Sequence, residues 1–166
     1  TDPIARKEFG PFTPGFVTIP YNDLKTLEKV LEDPDIAGFL VEPIQAEGGD
    51  NHFRKEFLQE LRTICDESEI LLIFDEVQTG FGRTGKWFAQ EHFDVIPDIM
   101  TVAKGIASGL PLSGVFSSLD LMKKWQTGSH GGTYGGNVVA CAAGVATIRA
   151  MREERMLENA SQRGEQ

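Results

Sequence analysis

The sequence predicts one α/β domain over residues 1–166, with three α/β/α layers around a mostly parallel sheet. Apolar strand-like runs alternate with stretches of helical spacing, an order typical of layered α/β proteins. The segment ILLIFDE at 70–76 is continuously apolar and partly β-branched up to its two acids, as strands buried on both faces are. Residues 53–65 carry the wide apolar stripe of a helix that covers a sheet.

Two strands and two helices are predicted in the first half of the chain. Residues 1–20 are rich in proline and glycine, which is typical of irregular chain, with one short strand at Phe16–Ile19. A helix follows, capped by Asn22 or Asp23 and ended by Pro34. Its apolar residues are Leu24, Leu27, Val30 and Leu31. AGFLVE at 37–42 then predicts a strand, which precedes the helix at 53–65.

The second half is predicted to contain three strands and a long helix. ILLIFDE forms the first strand, DIMTVAK at 98–104 the second, and SGVFSS at 113–118 the third. Small residues fill the predicted helix at 137–151 and would allow close approach of another backbone. The charged tail after Met151 is expected to continue as a helix and then fray. We see no internal repeat or linker, so one domain is the simplest account.

Ionisable residues stand at the predicted strand ends. They are Glu42, Asp75 with Glu76, and Lys104. In open α/β sheets the ligand binds beyond the carboxyl ends of the strands, so these side chains are expected to converge on one rim. The sequence therefore predicts the ligand site there.

Charge and composition exclude two kinds of partner. The net charge of −9 and pI near 4.8 would repel a phosphate backbone, and no run of Lys or Arg opposes that repulsion. No apolar run approaches the roughly 18 residues that span a bilayer, and the opening TDPIARKEFG lacks the apolar core of a signal peptide. We expect no nucleic acid, no membrane and a cytoplasmic location.

Cysteine and histidine spacing gives no sign of a metal site. Cys65 and Cys141 stand alone, outside any C-x-x-C pattern, which favours a reducing compartment. His52, His92 and His130 are scattered without ligand spacing. We expect no metal.

The segment ILLIFDEVQTGFGRTGK fits two nucleotide-binding patterns, G-x-x-x-x-G-K ending at Lys86 and G-x-G-x-x-G at Gly80, Gly82 and Gly85. A P-loop needs Ser or Thr after the lysine to hold Mg²⁺, but Trp87 follows Lys86. A dinucleotide site needs an acid about 20 residues further on, and the next strand ends in Lys104. A nucleotide-binding α/β domain is therefore the weakest hypothesis.

Lys104 lies in the apolar stretch TVAKGIASGLPLSG, where Gly105 and Gly109 leave room for another group. Desolvation there would keep its amine neutral, as a Schiff-base lysine requires. An ordinary lysine with a packed stem and a hydrated head also fits the local sequence. Asp75, one predicted crossover away, favours the first interpretation. A lysine and a carboxylate are the pair that pyridoxal 5′-phosphate (PLP) chemistry uses.

Four linked motifs resemble the class III aminotransferases of the ornithine, acetylornithine and 4-aminobutyrate type. They are VEPIQAEGG, IFDEVQTGFGRTG, VAKGIASGLPLSG and HGGTYGGN, in the order expected of the family. GPFTPGF and IPYNDL extend the resemblance over nearly the whole chain. It implies part of the large domain of a fold type I PLP-dependent transferase, with the N-terminal segment and the C-terminal small domain outside these residues.

The resemblance implies a cofactor site of five side chains. Lys104 would form the Schiff base with PLP and move the proton during transfer. Asp75 would hold the pyridine nitrogen protonated, a charge-assisted bond that contributes about 1.5–3 kcal/mol. Val77 would pack on the ring, and Gln78 would reach its phenolic oxygen. Thr133, with the backbone around Gly132, would bind the phosphate of the neighbouring subunit's cofactor, which implies a homodimer.

Two glutamates are implied on the substrate side. Glu47 resembles the residue that pairs with a substrate-site arginine and releases it when a carboxylate arrives. Glu42 supports the same wall or has a purely structural role. Ala46 stands where the family usually has Gly, a departure in the loop that carries Glu47.

The implied activity is transfer of an amino group to a 2-oxo acid such as 2-oxoglutarate. The donor would be an ω-amino compound such as 4-aminobutyrate, ornithine or acetylornithine. The rival hypothesis is a catalytically inactive fragment, because the implied N-terminal phosphate loop and C-terminal substrate arginine lie outside these residues.

Overall fold

The computed structural model describes residues 3–166 and centres on a four-stranded sheet. Its strands are β1 (Gly38–Val41), β4 (Leu71–Asp75), β5 (Ile99–Val102) and β6 (Gly114–Ser117), in the spatial order β1-β4-β5-β6. β1, β4 and β5 are parallel neighbours, whereas β6 runs antiparallel to β5. β2 (Ile44–Gln45) and β3 (Asn51–His52) form a separate antiparallel hairpin between β1 and the following helix.

Alternation along the strands gives the sheet two unlike faces. On one face, Val41, Leu72, Phe74 and Val102 are buried, and the core there continues into the helices. On the other face, Leu40 is 59% exposed and Val115 is 46% exposed. We call the first the helix-covered face and the second the open face. The register places Asp75 opposite Thr101 and Thr101 opposite Val115, so all three lie on the open face.

Two of the helices begin at side-chain caps that the sequence offers. In α2 (Leu24–Val30), the Asp23 side chain accepts a hydrogen bond from the Thr26 amide at 3.1 Å. In α6 (Val138–Glu153), the Asn137 side chain accepts from the amides of Val139 and Ala140. α3 (Lys55–Glu67) packs its apolar stripe against the helix-covered face through four buried residues, Phe57, Leu58, Leu61 and Cys65.

Shorter helices complete the fold. They are α1 (Pro3–Arg6), α4 (Gln90–Phe93), α5 (Leu119–Met122) and α7 (Met156–Gly164), with a 3₁₀ turn at Lys104–Ala107. α4 lies within the crossover that joins β4 to β5, as the spacing of Asp75 and Lys104 predicted. The charged tail forms α7, which confirms its helical prediction.

Two predictions of local structure were wrong. Phe16–Ile19 contains no strand, and Phe16 and Val17 are 79% and 60% exposed, because no neighbouring strand pairs with them in the described chain. The β2–β3 hairpin was not predicted, since two residues per strand are too few for a period of two to be visible. The other predicted strands and helices form within a few residues of their predicted bounds.

The described residues contain neither a membrane-spanning helix nor a group of metal-ligating side chains. No helix within residues 3–166 is long and apolar enough to cross a membrane. In the same residues, no three His, Cys, Asp or Glu side chains are grouped so that they could hold a metal ion.

Candidate active site

The site lies at the carboxyl ends of β4 and β5. Asp75 is the last residue of β4, and Lys104 follows β5 after Val102 and Ala103. The chain turns at once, because Lys104 has φ +45° and begins the 3₁₀ turn. Such backbone is uncommon for a residue other than glycine and is characteristic of functional sites, where the surrounding packing holds it.

Lys104 donates a hydrogen bond from Nζ to Oε1 of Gln78. Gln78 comes from the loop after β4, so this contact joins the two strand ends directly. The local sequence left open a desolvated amine and a hydrated one, and the structure favours the second: Lys104 is exposed, because the apolar residues beside it in sequence, such as Val102 and Ala107, turn into the core instead. The amine is therefore accessible to a ligand on the rim.

Asp75 is half-buried and fixed at one oxygen. Its Oδ1 accepts a hydrogen bond from the backbone amide of Val77 at 2.9 Å, while Oδ2 has no hydrogen-bond partner within residues 3–166. A carboxylate held in this way can accept one further donor, such as a protonated ring nitrogen. With a free carboxylate oxygen, an accessible amine and the half-buried Val77 on the same rim, the donor set fits PLP.

Glu42 interacts electrostatically with the other charged residues of the site. Burial raises the pKa of its carboxyl, and the negative charge of Asp75 and that of Glu47 raise it further, while Lys104 lowers it. These opposing effects place Asp75, Lys104 and Glu47 within electrostatic reach of Glu42. Glu47 itself is exposed, in the hairpin between β2 and β3. The predicted substrate-side glutamates therefore lie beside the predicted cofactor residues.

Gly132 and Thr133 make no hydrogen bond to this cluster within residues 3–166. Both are exposed on the loop that leads into α6, and a Cβ added at Gly132 would meet no atom within 4 Å. In the described part of the chain, no hydrogen bond joins Thr133 to Asp75, Gln78 or Lys104. The structure thus brings together the residues predicted to hold the ring and leaves the phosphate residues facing outward.

Glu76 was placed on the rim by the sequence, and the structure corrects this placement. Adjacent strand residues point to opposite faces, so Glu76 lies on the same face as Leu72 and Phe74 and is fully buried. Both of its oxygens accept hydrogen bonds, from the Thr79 hydroxyl and from the amides of Ala89 and Gln90. The signal in the sequence was the two-residue repeat of ILLIFDE, which separates Asp75 from Glu76.

α6 supports the turn that carries Lys104. Gly144 lets the helix approach closely, since a Cβ there would lie 3.0 Å from Leu112 Cδ2 and 3.4 Å from the Ile106 carbonyl oxygen. A hydrogen bond of 3.1 Å joins the hydroxyls of Ser108 and Thr147 across the same contact. The small residues of the helix thus serve the close approach that the sequence predicted.

Two glycines of the glycine loop pack against side chains of α6 and α7, which accounts for them without a bound nucleotide. A Cβ at Gly82 would lie 2.8 Å from Met151 Cε, and one at Gly85 would collide with Ser161 of α7. Both glycines have positive φ and shape turns. Gly82 and Gly85 are therefore used for close packing against α6 and α7.

A cavity of about 830 Å³ lies at the opposite, amino end of the parallel strands. Two of its charged side chains pair with each other: Arg62 donates to Asp98 Oδ2 at 2.8 Å, and that oxygen also accepts from the Leu72 amide at 2.8 Å. These bonds connect α3 to the starts of β4 and β5. The cavity therefore belongs to the scaffold and not to the rim that holds Lys104.

Sequence comparison identifies the family of this site. The family model of class-III aminotransferases matches residues 1–166. The mitochondrial ornithine aminotransferase of Rattus norvegicus is 46% identical over 165 residues, which are 99% of this chain and 38% of that protein. The acetylornithine aminotransferase of Methanopyrus kandleri is 44% identical over 162 residues, 98% of this chain and 41% of that protein. The chain spans about two fifths of the length of these relatives.

Solved structures agree with the sequence relatives. The ornithine aminotransferase of Toxoplasma gondii has a TM-score of 0.94 and 41% identity, and the match covers 99% of this chain and 39% of that one. A second structure from that organism has partial occupancy of PLP at its active site. The acetylornithine aminotransferase of Elizabethkingia anophelis has a TM-score of 0.86 and 43% identity over 92% of this chain and 41% of that one.

These matches confirm the predicted α/β fold as that of the PLP-dependent aminotransferases. They also agree with the geometry, in which an accessible lysine and a half-free carboxylate share one rim of a parallel sheet. The chain belongs to the class-III aminotransferase family.

Proposed function

We propose that this chain forms the cofactor-binding centre of a PLP-dependent aminotransferase, as part of the large domain of a longer protein. The observation that carries the proposal is the junction of the two strand ends, where Lys104 bonds to Gln78 and Asp75 presents a free oxygen beside them. When bound, PLP supplies an electron sink for the carbon that carries the amino group. The residues around it would decide how the cofactor is held and where protons move.

Each rim residue would have one task. Nζ of Lys104 would hold the cofactor at its aldehyde group, and the same amine, when free, would accept and return a proton at the substrate carbon. Oδ2 of Asp75 would accept the ring N–H, since Oδ1 is occupied by the Val77 amide. Gln78, already bonded to Lys104, would reach the ring's phenolic oxygen, and Val77 would pack on the ring.

Glu42 and Glu47 would line the side on which the substrate enters. Their charges act on each other, and both lie on the segment that leaves β1 and passes through the hairpin. Exposed Glu47 would pair with a cationic side chain or a cationic substrate group. The names of the relatives support ornithine or acetylornithine as amino donor, with a 2-oxo acid as acceptor.

Thr133 and the backbone near Gly132 would bind the phosphate of the cofactor in a second copy of the chain. Two observations support this proposal: the loop faces outward, and the residues after it are apolar and exposed, with Val138 at 79% and Val139 at 62%. A homodimer would cover these side chains and bring Thr133 to the partner's rim. A cytoplasmic location fits the two unpaired cysteines, Cys65 and Cys141.

Covalent trapping tests the site. The chain is incubated with PLP, reduced with borohydride and digested, and the modified lysines are identified by mass spectrometry. We expect the pyridoxyl group on Lys104, and the Lys104→Ala variant should lose it.

Lys86 is the internal control, because it is an exposed lysine in the glycine loop and not at the carboxyl end of β4 or β5. Equal modification of Lys86 and Lys104 would mean that the rim has no selective affinity for PLP. A transamination assay with ornithine or acetylornithine and 2-oxoglutarate separates an active chain from the inactive-fragment alternative, which predicts trapping without turnover.

A further inference from the structure

Glu76 is a fully buried carboxylate that lies outside the proposed cofactor site. Its Oε2 accepts from the Thr79 hydroxyl at 2.5 Å and from the Ala89 amide at 2.9 Å, and its Oε1 accepts from the Gln90 amide at 2.8 Å. Its backbone carbonyl also accepts from the Gly80 amide at 3.0 Å. A buried carboxylate needs such donors, because removing it from water without them is costly.

These bonds join the two ends of one loop, residues 77–88. Thr79 stands near the start of the loop, while Ala89 and Gln90 follow its end, 13 and 14 residues from Glu76. One side chain therefore joins both ends of a segment whose middle, around Gly82 and Gly85, packs against α6 and α7 and is bonded to His92 through Thr84. Loss of this carboxylate would free both ends of the loop together.

The same loop touches every rim residue proposed to hold PLP. Its Val77 amide donates to Asp75, and its Gln78 side chain accepts from Lys104. Phe81 lies against the turn after Lys104, since a Cβ added at Gly105 would be 3.2 Å from Phe81 Cβ. The position of the loop thus determines how the carboxylate and the amine are presented.

We propose that Glu76 is a positioning residue, whose buried carboxylate holds both ends of the 77–88 loop and thereby orients Asp75 and Gln78 towards Lys104. The proposal rests on the proposed function for its chemical consequence, but not for the loop contacts themselves. Glu76 would act through these contacts and would not touch the cofactor.

Glu76→Gln tests the hydrogen bonds of this carboxylate with almost no change in the shape of the side chain. A carboxamide has one oxygen and one NH₂ group, so whichever way it points, its NH₂ faces either the Gln90 amide or the donors of Thr79 and Ala89. At least one backbone N–H loses its acceptor. We expect hydrogen exchange of that amide, Ala89 or Gln90, to become about tenfold faster or more, since bonds to charged groups are the strong ones.

Exchange of the Val77 amide is the decisive measurement, because this group reports the hold on Asp75. It should also accelerate in Glu76→Gln. Glu91→Gln is the matched control: Glu91 accepts from the Phe88 amide at 2.9 Å at the end of the same loop, but it is exposed. In that variant we expect faster exchange at Phe88 and no change at Val77. Unchanged exchange at Val77 in Glu76→Gln would overturn the proposal.

PLP gives a second readout that a purely structural role would not move. After attachment to Lys104, the absorption maximum of the cofactor depends on how Asp75 meets the ring nitrogen. We expect Glu76→Gln to shift this maximum and to reduce trapping at Lys104 several-fold, while Glu91→Gln matches the wild-type chain in both. An unchanged maximum would contradict the positioning role. If the wild-type chain traps no PLP, the proposed function fails, and exchange at Val77 alone decides the role of Glu76.

Thr79→Val and Thr79→Ser keep the test valid if Glu76→Gln does not fold. The valine removes only the buried hydroxyl that donates to Oε2, whereas the serine retains a hydroxyl. We expect faster exchange at Val77 in Thr79→Val and near wild-type exchange in Thr79→Ser. Equal behaviour of the two variants would refute the claim that the bond to Glu76 sets the loop.

Discussion

Glu42 shows how the site's charges oppose one another at the scale of single residues. Its carboxyl is half-buried and near two other carboxylates, so that burial and Asp75 together raise its pKa above the ordinary value of 4.5. In the unfolded chain these influences are absent. Ionised Glu42 is therefore less favourable in the folded state than in the unfolded state.

This environment predicts a pH-dependent effect of Glu42→Gln. As the pH rises from below 4.5 through the raised pKa, the wild-type chain loses stability that the variant keeps. The free energy of unfolding of Glu42→Gln, relative to the wild type, should therefore be higher at pH 7 than at pH 4. Urea unfolding at the two pH values measures this difference. Glu60→Gln, on the exposed surface of α3, should show no such change. If the difference in free energy of unfolding between Glu42→Gln and the wild type is the same at both pH values, ionisation of Glu42 does not destabilise the folded chain.

Sequence patterns reached the acid, the lysine and the glutamine of the rim, because strand ends and linked motifs fix where such residues stand in the chain. They did not predict the position of Glu76. The face of the sheet that it occupies is decided by the two-residue repeat of β4, and its partners, Ala89 and Gln90, stand at the start of a helix further along the chain. They also did not decide whether Lys104 is desolvated or exposed, since apolar neighbours in sequence need not be neighbours in space.

At the scale of elements, α6 holds the turn of Lys104 in its uncommon backbone conformation. The helix can approach because Gly144 has no side chain, and the bond between Ser108 and Thr147 fixes the contact. Lys104 at φ +45° and Ser108 at φ +48° bound this turn. Packing against α6 thus offsets a conformational cost of the order of 1–3 kcal/mol for each such residue.

Gly144→Leu should disturb the rim from a distance. Its side chain would overlap Leu112 and press on the Ile106 carbonyl, and such overpacking costs about 1–3 kcal/mol. We expect a lower midpoint of urea unfolding and less trapping of PLP at Lys104. Val145→Leu, at the next position of the same helix, enlarges a residue that is 51% exposed and should leave both quantities unchanged. Wild-type stability of Gly144→Leu would show that the turn does not depend on this close approach.

Elements with long, regular patterns were predictable from sequence, and short or reversed ones were not. The apolar stripe of α3 and the buried run of β4 give strong local signals. In contrast, β2 and β3 have two residues each, and their pairing is decided by the turn between them. The direction of β6 depends on how the chain returns after the turn of Lys104, which no periodicity records.

At the scale of the whole molecule, the predicted site residues fall into two groups. Asp75, Gln78 and Lys104 meet, while Thr133 faces outward beside exposed apolar residues. A second copy related by a two-fold axis would supply Thr133 to each rim, since a two-fold interface exchanges equivalent residues. The proposed homodimer follows from this division of the site.

Complementation between two variants tests the proposed dimer. Lys104→Ala cannot be trapped, and Thr133→Ala should be trapped weakly because its partner lacks the phosphate contact. When equal amounts of the two are mixed, about half of the Thr133→Ala chains acquire a partner with an intact Thr133. We therefore expect trapping at Lys104 to rise on mixing, with the mass of the peptide identifying the chain. As a control, Lys104→Ala,Thr133→Ala added instead should give no rise. The same result for both additions would exclude a shared site.

The overall class followed from the order of strands and helices, because an alternating order permits few layered arrangements. The state of the open face did not, since the exposure of Leu40 and Val115 depends on what lies against them and not on their own sequence. For the same reason, the sequence does not show what lies against exposed Thr133, whereas Asp75, Gln78 and Lys104 lie together within one chain.

The order of the two acids after β4 is itself structural information. Adjacent residues of a strand point to opposite faces of the sheet. Asp75 therefore points to the rim and Glu76 to the core only as long as this alternation is unbroken. Removal of a single residue from Leu71–Asp75 would reverse that phase. It would turn the Glu76 side chain towards the open face and the Asp75 side chain towards the helix-covered face. Exchanging Asp75 and Glu76 in the sequence would preserve the composition, net charge and mean hydropathy of the chain. It would nevertheless place a glutamate on the rim and an aspartate in the core.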